Sequence, residues 1–358
     1  MGGSTIPEAV PRPASARRST SRAISAKKVG LRARHLLIGL LGISIGLSAC
    51  APATSPTSGP TPVVVQLSWT HQAQFGGFYA ADQNGDYAQA NLAVSFREGG
   101  PSVDVLTPVL DGTAQFGVAN ADALIIARSQ GQPVRAIATI YRRSPAVFMA
   151  LASSGIVRPQ DFVGKMVELG RRGLPLLHTL MSRVGVRPDQ YTTVDSTSDL
   201  TPFFSGAVQV RSVFLTNEVL TARAAGYQLN LIFPDDYGIH FYADTLFTTD
   251  DLIARDPELV QRFLRATLPG WTYAAENPTA IGSLVCHYKS DADVAHENAF
   301  MTASLPLINA GEDHIGWMRP EIWAGMETTL REQGVITQSL DVTQVYTLRF
   351  LTEIYDTP

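Results

Sequence analysis

Few side chains in this 358-residue chain are suited to covalent or metal chemistry. It contains two cysteines, Cys50 and Cys286, and seven histidines. The histidines are scattered and do not show the short, regular spacing typical of zinc sites. Beyond Cys50 the chain has only two lysines, Lys165 and Lys289. The pattern therefore predicts no metal site and offers few groups for nucleophilic catalysis.

Cys50 stands at the end of a pattern typical of secretion signals. Residues 1–35 are rich in arginine and lysine, and residues 36–47 are almost entirely apolar or small. A basic region, an apolar core of about 7–15 residues and a small-residue cleavage point indicate an export signal, whereas a membrane-spanning helix needs about 20 apolar residues. Because the pattern ends in Leu47-Ser48-Ala49-Cys50, it predicts a bacterial lipoprotein signal peptide over residues 1–49 and lipidation of Cys50. A signal anchor, or a chance cysteine in an ordinary signal, is the alternative.

Lipidation of Cys50 would hold the protein on the extracytoplasmic face of the cell membrane through a flexible Pro/Ser/Thr-rich linker, residues 50–61. Cys286 would then have no disulfide partner in the mature chain. Residues 1–49 include eight basic residues and one acidic residue, so their removal leaves 20 basic and 31 acidic residues and a net charge near −11. Such an acidic surface argues against nucleic acid as a partner.

Strand and helix patterns alternate through the first half of the remaining chain, which predicts an α/β sheet with a ligand crevice at the strand ends. The predicted strands are β-branched or apolar runs bounded by Pro or Gly, and most of the predicted helices end near Gly or Asn. In order, they are strand 63–67, helix 75–91, strand 92–96, helix 103–112, strand 116–119, helix 121–130 and strand 134–141.

A second α/β unit is predicted after Gly155, and the chain is predicted to be helical beyond Leu252. About 309 residues remain after removal of the signal, a length typical of two domains. The predicted elements are strand 166–169, helix 174–184, strands 210–215 and 229–233, and helices 258–275, 278–285, 320–333 and 342–354.

Several motifs spread over nearly the whole mature chain carry a family resemblance. They are Trp69, Gln74–Ala81, Glu98–Ser102, Gln115–Ala119, Arg143–Pro145, Asp161–Lys165, Thr216–Glu218, Asp236–Ile239 and Gly270–Trp271. Together they resemble the NMT1/THI5-like (SsuA/THI5) family of periplasmic-type solute-binding proteins. The resemblance implies a monomer with a type II periplasmic-binding-protein fold, in which a hinge joins two lobes and an ABC-transporter permease receives the ligand from the cleft. It places lobe 1 at residues 62–145 and 245–358, and lobe 2 at residues 146–244.

The segment after Trp69 departs from the pyrimidine-binding branch of that family, which carries a Trp-Thr-Pro-Asn-x-Asn-His-like sequence. Gln72 and Gln74 stand at the asparagine positions and Phe75 at the histidine position. Gln115 replaces a common acidic residue before Phe-Gly. These features are more similar to the riboflavin-binding lipoproteins of the family, whose partner is a RibX-type permease. We therefore expect riboflavin as the transported ligand and no cofactor, with a thiamine-pyrimidine precursor or another aromatic heterocycle as the alternative.

A flavin needs aromatic rings above and below its ring system and amide-type groups at its polar edge. Candidate aromatic residues come from the first lobe and from the hinge, and candidate polar residues follow two predicted strands. The predicted ligand-binding residues are Trp69, Phe75, Tyr79, Asn120, Tyr141, Asn217, Glu218, Tyr237 and Tyr242. Core packing is the alternative role of the aromatic residues that share one helix face, Phe75 and Tyr79.

An enzyme is the remote alternative, because a eukaryotic branch of the family resembles pyrimidine synthases that consume pyridoxal phosphate and a histidine. Such chemistry needs a Schiff-base lysine near the cleft and that branch's cysteine-rich segment. Lys165 lies in a turn that opens a strand, Lys289 lies beside Cys286, and the sequence has no cysteine cluster. We therefore predict a binding protein with no catalytic residue. A signalling role, in which the lobes present ligand to a sensor, stays open.

Replacing Cys50 with alanine is expected to release the protein from membranes, because alanine offers no thiol for lipidation. The measurement is the distribution of the protein between membrane and soluble fractions of cells that express wild type or Cys50→Ala. Cys286→Ala is the matched control and should remain with the membranes. Retention of Cys50→Ala in the membrane fraction would show that the lipoprotein prediction is wrong.

Overall fold

Two five-stranded sheets with helices packed on them make up the fold. They are seen in a computed structural model that describes residues 59–356, except 101, 171–172, 198, 309–310 and 312. The predicted signal peptide, the predicted lipidation site Cys50 and most of the predicted linker lie outside the described residues. None of the described helices is both long enough and apolar enough to cross a membrane.

The first sheet has the strand order β2-β1-β3-β10-β4, and the second has the order β7-β6-β8-β5-β9. Strand β1 is parallel to β2 and β3, whereas β10 is antiparallel to β3 and β4. In the second sheet β6 is parallel to β7 and β8, and β5 is antiparallel to β8 and β9. The strands are β1 (Thr61–Gln66), β2 (Leu92–Arg97), β3 (Phe116–Ala119), β4 (Val134–Thr139), β5 (Ala146–Leu151), β6 (Met166–Leu169), β7 (Thr192–Asp195), β8 (Val210–Phe214), β9 (Leu229–Ile232) and β10 (Thr245–Thr249).

The chain passes between the sheets twice, at residues 140–145 and 233–244, and we call these two segments the hinge. The two segments are bonded to each other, because the Ile140 N–H donates to the Asp244 carbonyl and the Ala243 N–H donates to the Tyr141 carbonyl, both at 3.0 Å. Two α/β sheets joined by a paired hinge confirm the predicted fold class. The predicted residue bounds of the two lobes stay a prediction.

Most of the helices pack on the first sheet, and the longest of them follow β10. Short 3-10 helices precede α1 at Ala73–Phe75 and occupy Pro234–Tyr237 in the hinge. The α-helices are α1 (Gly76–Gln83), α2 (Asp86–Gln89), α3 (Thr107–Leu110), α4 (Ala121–Ser129), α5 (Leu174–Arg183), α6 (Thr201–Phe204), α7 (Glu218–Ala224), α8 (Asp250–Arg255), α9 (Pro257–Glu276), α10 (Ile281–Val285), α11 (Val294–Ile308), α12 (Pro320–Glu332) and α13 (Arg349–Tyr355).

The structure differs from the sequence predictions at several helices. The single helix predicted over residues 75–91 is two helices, because Gly85 adopts a left-handed conformation with φ of 81° that breaks the helix between α1 and α2. The helix predicted over residues 103–112 is reduced to the single turn of α3. Helix α11 was not predicted, since Glu297 and Ser304 lie on its buried side and obscure the apolar periodicity.

Helices α1 and α9 pack unusually closely behind the first sheet because glycines stand at their contact. A Cβ atom added to Gly270 would lie 2.3 Å from the Gly77 carbonyl oxygen and 2.5 Å from the Ala81 nitrogen. A Cβ added to Gly77 would lie 2.1 Å from the Trp271 ring. The Trp271 ring is 1% exposed and meets Phe78 edge to face, with 5.5 Å between centroids. This contact anchors α1, which begins directly after the loop that follows β1.

The variant Gly270→Ala is expected to lower the free energy of unfolding by about 1–3 kcal/mol, because the new methyl group has no space between α1 and α9. Urea unfolding followed by circular dichroism measures this change. Gly325→Ala is the matched control, since Gly325 is also helical but an added Cβ there meets nothing within 4 Å. That control should be neutral or slightly stabilising, and equal effects of the two substitutions would contradict the packing argument.

Candidate ligand-binding site

The loops at the ends of β1, β3 and β8 carry predicted site residues, as expected for a crevice at the carboxyl ends of parallel strands. Trp69 follows β1 and is half-buried against the core. Its backbone position is held by Gly99, whose N–H donates to the Trp69 carbonyl at 2.9 Å. Gly99 can lie this close because it lacks a side chain: an added Cβ would be 2.4 Å from the Leu67 carbonyl oxygen. The two loops thus fix the backbone of Trp69.

A buried polar network links this loop to the hinge, and we call Ser68, Gln72, Gln74 and Asp244 the Asp244 network. The Gln74 Nε2 donates to both carboxyl oxygens of Asp244, at 2.9 and 2.7 Å, and the Ser68 hydroxyl donates to one of them at 3.4 Å. The Gln74 Oε1 accepts a hydrogen bond from the Gln72 Nε2 at 2.6 Å. Both glutamines at the family's asparagine positions are therefore directed into the protein, toward each other and toward Asp244.

Asp244 is an acid buried at the hinge with no cation among its hydrogen-bond partners. Asp244 is 4% exposed, and this burial raises the pKa of its carboxyl group to about 7. The hydrogen bonds from Gln74 and Ser68 act in the opposite direction and lower that pKa. Burial raises the pKa of Tyr141, and the charge of the nearby Asp244 carboxylate raises it further. The Tyr141 hydroxyl donates to Ser304 on α11 at 2.9 Å.

The segment between β1 and α1, residues 67–75, is called the β1 loop. Tyr79 belongs to a stack of aromatic rings that contacts this loop through His71. Its ring lies 4.2 Å from that of Tyr288 with an interplanar angle of 20°, and its hydroxyl is 2.7 Å from the His71 Nδ1. Burial lowers the pKa of His71, while the nearby Glu98 carboxylate acts in the opposite direction. His71 is thus favoured in its neutral form, in which an unprotonated Nδ1 can accept a hydrogen bond from the Tyr79 hydroxyl. Tyr79 and Phe75 are both 0% exposed.

One hydrogen bond reaches from the loop after β8 to helix α11. The Asn217 Oδ1 lies 3.0 Å from the His296 Nε2. The next residue on α11, Glu297, accepts a hydrogen bond from the Ala73 N–H at 2.6 Å. The second sheet's loop is therefore connected through α11 to the segment that follows Trp69. The Glu218 carboxylate accepts a hydrogen bond from the N–H of Phe214, the last residue of β8, at 3.0 Å.

The remaining predicted site residues lie elsewhere along the hinge or at a helix start. The Tyr242 hydroxyl accepts the Arg319 N–H at 3.0 Å, and its ring meets Trp323 edge to face. Tyr237 is half-buried near Arg158 of the second lobe. Asn120 is half-buried at the start of α4, where its side chain makes no capping hydrogen bond.

Trp69 lies in the β1 loop, and Tyr79 is bonded to that loop through His71. Asn217 and Tyr141 are bonded to α11, and Tyr242 precedes the hinge residue that is bonded to Tyr141. A ligand contact by any of the nine predicted residues, including Phe75, Asn120 and Glu218, stays a prediction.

Sequence reasoning missed several residues that shape this region. Asp244 could have been found, because it is the only acid in the otherwise apolar and hydroxylic stretch Phe241–Thr249. The contributions of α11 could not, since that helix was not recognised. The residues that were missed are Ser68, Asp244, Tyr288, His296, Glu297 and Ser304.

The model of the NMT1/THI5 like family matches residues 72–281. The chain belongs to this family. The predicted resemblance is therefore confirmed, and the match includes part of the β1 loop, the whole hinge and Asn217. The same residues include Gln72, Gln74 and Asp244 of the Asp244 network.

Among its relatives, the chain is 26% identical over 355 residues to the riboflavin-binding protein RibY of Chloroflexus aurantiacus, covering 90% of this chain and 98% of that protein. It is 28% identical over 306 residues to the 4-amino-5-hydroxymethyl-2-methylpyrimidine phosphate synthase of Legionella pneumophila, covering 83% and 93%. It is 27% identical over 250 residues to the formylaminopyrimidine-binding protein of Halalkalibacterium halodurans, covering 68% and 75%.

Solved structures show the same fold. The periplasmic aliphatic sulphonate binding protein SsuA of Escherichia coli superposes with a TM-score of 0.63 at 14% identity, over 80% of this chain and 92% of that one. A Candida albicans protein described as having the generic periplasmic binding protein fold superposes with a TM-score of 0.58 over 80% and 96%. These likenesses confirm the predicted periplasmic-binding-protein fold.

The raised pKa of Asp244 predicts a distinct pH dependence of stability. An aspartate in the unfolded chain has a pKa of about 3.9, so between about pH 4 and pH 7 the folded state retains a proton that the unfolded state has lost. The free energy of unfolding should therefore fall as pH rises through this window. Asp244→Asn removes this contribution, so relative to wild type the variant should gain about 2–3 kcal/mol between pH 5 and pH 8.

Urea unfolding of wild type and Asp244→Asn at the two pH values measures that difference. Asp251→Asn, an exposed change on α8, is the control and should follow the wild type at both pH values within about 0.5 kcal/mol. If the difference between wild type and Asp244→Asn is the same at pH 5 and pH 8, Asp244 is not protonated in the folded state.

Proposed function

We propose that the protein is an extracytoplasmic solute-binding lipoprotein of an ABC uptake transporter, and that it captures riboflavin between its lobes. The likeness to the riboflavin-binding relative supports this reading, because it extends over 98% of that protein. The periplasmic-binding-protein fold provides two lobes and a hinge for capture. Lipidation at Cys50 would hold the protein at the membrane, beside a RibX-type permease, on its extracytoplasmic face.

The half-buried ring of Trp69 is the observation that carries the riboflavin proposal. Phe75 and Tyr79 are fully enclosed by protein, whereas Trp69 keeps part of its surface exposed on a loop at the strand ends. A tryptophan whose backbone is fixed by Gly99 loses little conformational freedom when a flat ring stacks on it. The isoalloxazine ring of riboflavin is large and flat, so it matches this surface.

Capture would proceed by closure at the hinge. The Asp244 network bonds the second hinge segment to the β1 loop. Rotation of the second lobe would therefore move the loop after β8 relative to the β1 loop and Trp69. The hydrogen bond between Asn217 and His296 shows that this loop can reach α11. Ligand would favour the closed form only to the extent that it binds that form more tightly than the open one.

A thiamine-pyrimidine precursor is the second candidate ligand, since two relatives are named for pyrimidines. The structure gives this reading less support. The amide groups of Gln72 and Gln74 are bonded to each other and to Asp244, so they are not directed outward to read the edge of a small ring. The ring would also be smaller than the surface that Trp69 offers.

We also propose that the chain is not an enzyme, although one relative is named a synthase. A Schiff-base mechanism needs a lysine at the reacting aldehyde. Lys165 directly precedes β6, at the opposite end of that strand from the crevice loops. Lys289 lies near enough to Glu297 on α11 to lower its pKa, and Glu297 accepts a hydrogen bond from the Ala73 N–H next to the β1 loop. The proposal that the chain is a binding protein therefore rests on its binding-protein relatives and on the position of Lys165.

Titration of the purified full-length protein with riboflavin is expected to quench the flavin fluorescence stoichiometrically, with a submicromolar Kd. Trp69→Ala should raise that Kd at least about tenfold, which corresponds to about 1.4 kcal/mol of lost stacking. Trp317→Ala is the matched control, because Trp317 is also half-buried but lies outside the β1 loop. Thermal unfolding of both variants checks that they are folded.

The outcomes separate the two ligands. Absence of quenching, together with a thermal shift caused by a formylated aminopyrimidine, would replace riboflavin with the pyrimidine candidate. Quenching that is equal in wild type and Trp69→Ala would keep the ligand but exclude Trp69 from the site.

A further inference from the structure

His71 lies in the β1 loop two residues after Trp69, and like Trp69 it is half-buried. The turn after β2 holds both residues. The Gly99 N–H donates to the Trp69 carbonyl at 2.9 Å, and the Glu98 carboxylate accepts the His71 N–H at 2.8 Å. The backbones of both residues are therefore fixed at the carboxyl ends of the parallel strands β1 and β2, where an α/β sheet forms its ligand crevice.

Two tyrosine rings and one hydrogen bond hold the imidazole ring of His71. The ring centroids of Tyr79 and Tyr288 lie 5.7 and 5.6 Å from the His71 centroid. The Tyr79 hydroxyl lies 2.7 Å from the His71 Nδ1. An imidazole ring held in this way loses little conformational freedom when its other nitrogen bonds a ligand.

The burial of Tyr79 determines which nitrogen of His71 carries the proton. Burial raises the pKa of the Tyr79 hydroxyl, so this group keeps its proton, and the described residues offer that proton one acceptor, the His71 Nδ1. The Gln72 backbone N–H, which acts to lower the Tyr79 pKa, is itself a donor. A buried hydroxyl whose proton has no acceptor is costly. Tyr79 therefore donates to Nδ1, and the proton of the neutral His71 ring lies on Nε2.

The Nε2 atom of His71 makes no hydrogen bond to any described residue, yet it is not a buried atom. It therefore presents an N–H donor to solvent from the same loop as Trp69. We propose that this N–H donates to an acceptor atom of the ligand, a carbonyl oxygen or an unprotonated ring nitrogen, and that Tyr79 positions it. The polar edge of the riboflavin ring carries acceptors of both kinds. This role rests on the proposed function, in which the ligand stacks on Trp69.

Tyr79 would act on the ligand only through His71. Its ring is 0% exposed, so a ligand in the cleft does not touch it. The predicted contribution of Tyr79 to binding is then indirect, since its hydroxyl holds the imidazole ring and leaves Nε2 as the donor. A ligand that places only donors or hydrocarbon against His71 would leave this N–H unpaired and would bind more weakly.

Riboflavin is the probe, and a double-mutant cycle on the purified full-length protein is the measurement. His71→Phe keeps an aromatic ring beside Tyr79 and Tyr288 but removes the donor, and it should raise the Kd about three- to tenfold. Tyr79→Phe removes only the hydroxyl. It should raise the Kd in the wild-type background but not in the His71→Phe background. An equal effect of Tyr79→Phe in both backgrounds would mean that Tyr79 does not act through His71.

Nitrogen NMR of the histidine side chains gives an independent readout. At about pH 8, above the ordinary histidine pKa of about 6.5, the ligand-free protein should show His71 with a protonated Nε2 and an unprotonated Nδ1. Riboflavin should shift the Nε2 resonance more than the Nδ1 resonance. His71→Gln assigns these signals by their loss, and because it keeps an N–H donor it should bind riboflavin more tightly than His71→Phe. A proton on Nδ1 in the ligand-free protein would overturn the proposal.

Tyr87→Phe and His314→Phe are the matched controls. The buried Tyr87 hydroxyl is also hydrogen-bonded, to Thr267 at 3.1 Å, and the His314 ring also stacks on a tyrosine, Tyr355, with 4.1 Å between centroids. Both residues lie outside the β1 loop, so both variants should leave the Kd unchanged. Thermal unfolding confirms that each variant is folded.

The outcomes separate a failure of this proposal from a failure of the proposed function. If riboflavin binds wild type and His71→Phe equally, the ligand stands and the role of His71 is wrong. If riboflavin does not bind wild type, the proposed ligand is wrong. The same cycle with a formylated aminopyrimidine, whose formyl oxygen is also an acceptor, then tests His71.

Discussion

The buried carboxyl group of Asp244 is the constraint on which the arrangement of the site depends. A charged carboxylate in a dry interior is costly unless hydrogen bonds or a cation compensate it. Here its hydrogen-bond partners are the neutral groups of Gln74 and Ser68, and burial raises its pKa to about 7, so the protonated form is favoured below neutral pH. Asp244 belongs to the hinge, and its hydrogen-bond partners belong to the β1 loop. The hydrogen bonds to this one carboxyl group therefore hold the β1 loop against the hinge.

Helix α11 extends this constraint across the molecule. Ser304 accepts the buried Tyr141 hydroxyl beside Asp244, and Glu297 holds the backbone of Ala73. One helix therefore secures both the hinge and the β1 loop, while the glycine contact between α1 and α9 secures α1 from behind. Buried acids and hydroxyls hold the hinge and the β1 loop, whereas close apolar packing holds α1. Any other arrangement of these elements would leave a buried polar group without its hydrogen-bond partner, which is costly. Apolar contacts impose no such requirement, so the polar contacts make the arrangement more specific.

The sequence predicted seven of the ten strands in the described residues, and the strands β5, β7 and β10 were not predicted. Strands β3 and β6 were located to the residue, because each is a short, mainly apolar run whose neighbours are Gln115 and Asn120, or Lys165 and Gly170. Strand β7 was missed because its side chains are mostly exposed, and α11 because its buried face is partly polar. Among the site residues, aromatic type alone did not distinguish a ring that faces a crevice, such as Trp69, from one enclosed in the core, such as Phe75. That distinction depends on tertiary packing, which periodicity does not encode.

Two polar contacts between the lobes, seen in the described residues, are weak, as suits a protein that opens and closes. The bond between Asn217 and His296 is worth about 0.5–1.5 kcal/mol. The ion pair between Arg183 on α5 and Glu332 on α12 is long, at 3.8 Å, and exposed, so it adds at most about 1 kcal/mol. Driving a two-state equilibrium from 1:99 to 99:1 takes about 5.5 kcal/mol. These two polar contacts supply only part of that free energy, and a ligand that contacts both sides of the cleft would add to it.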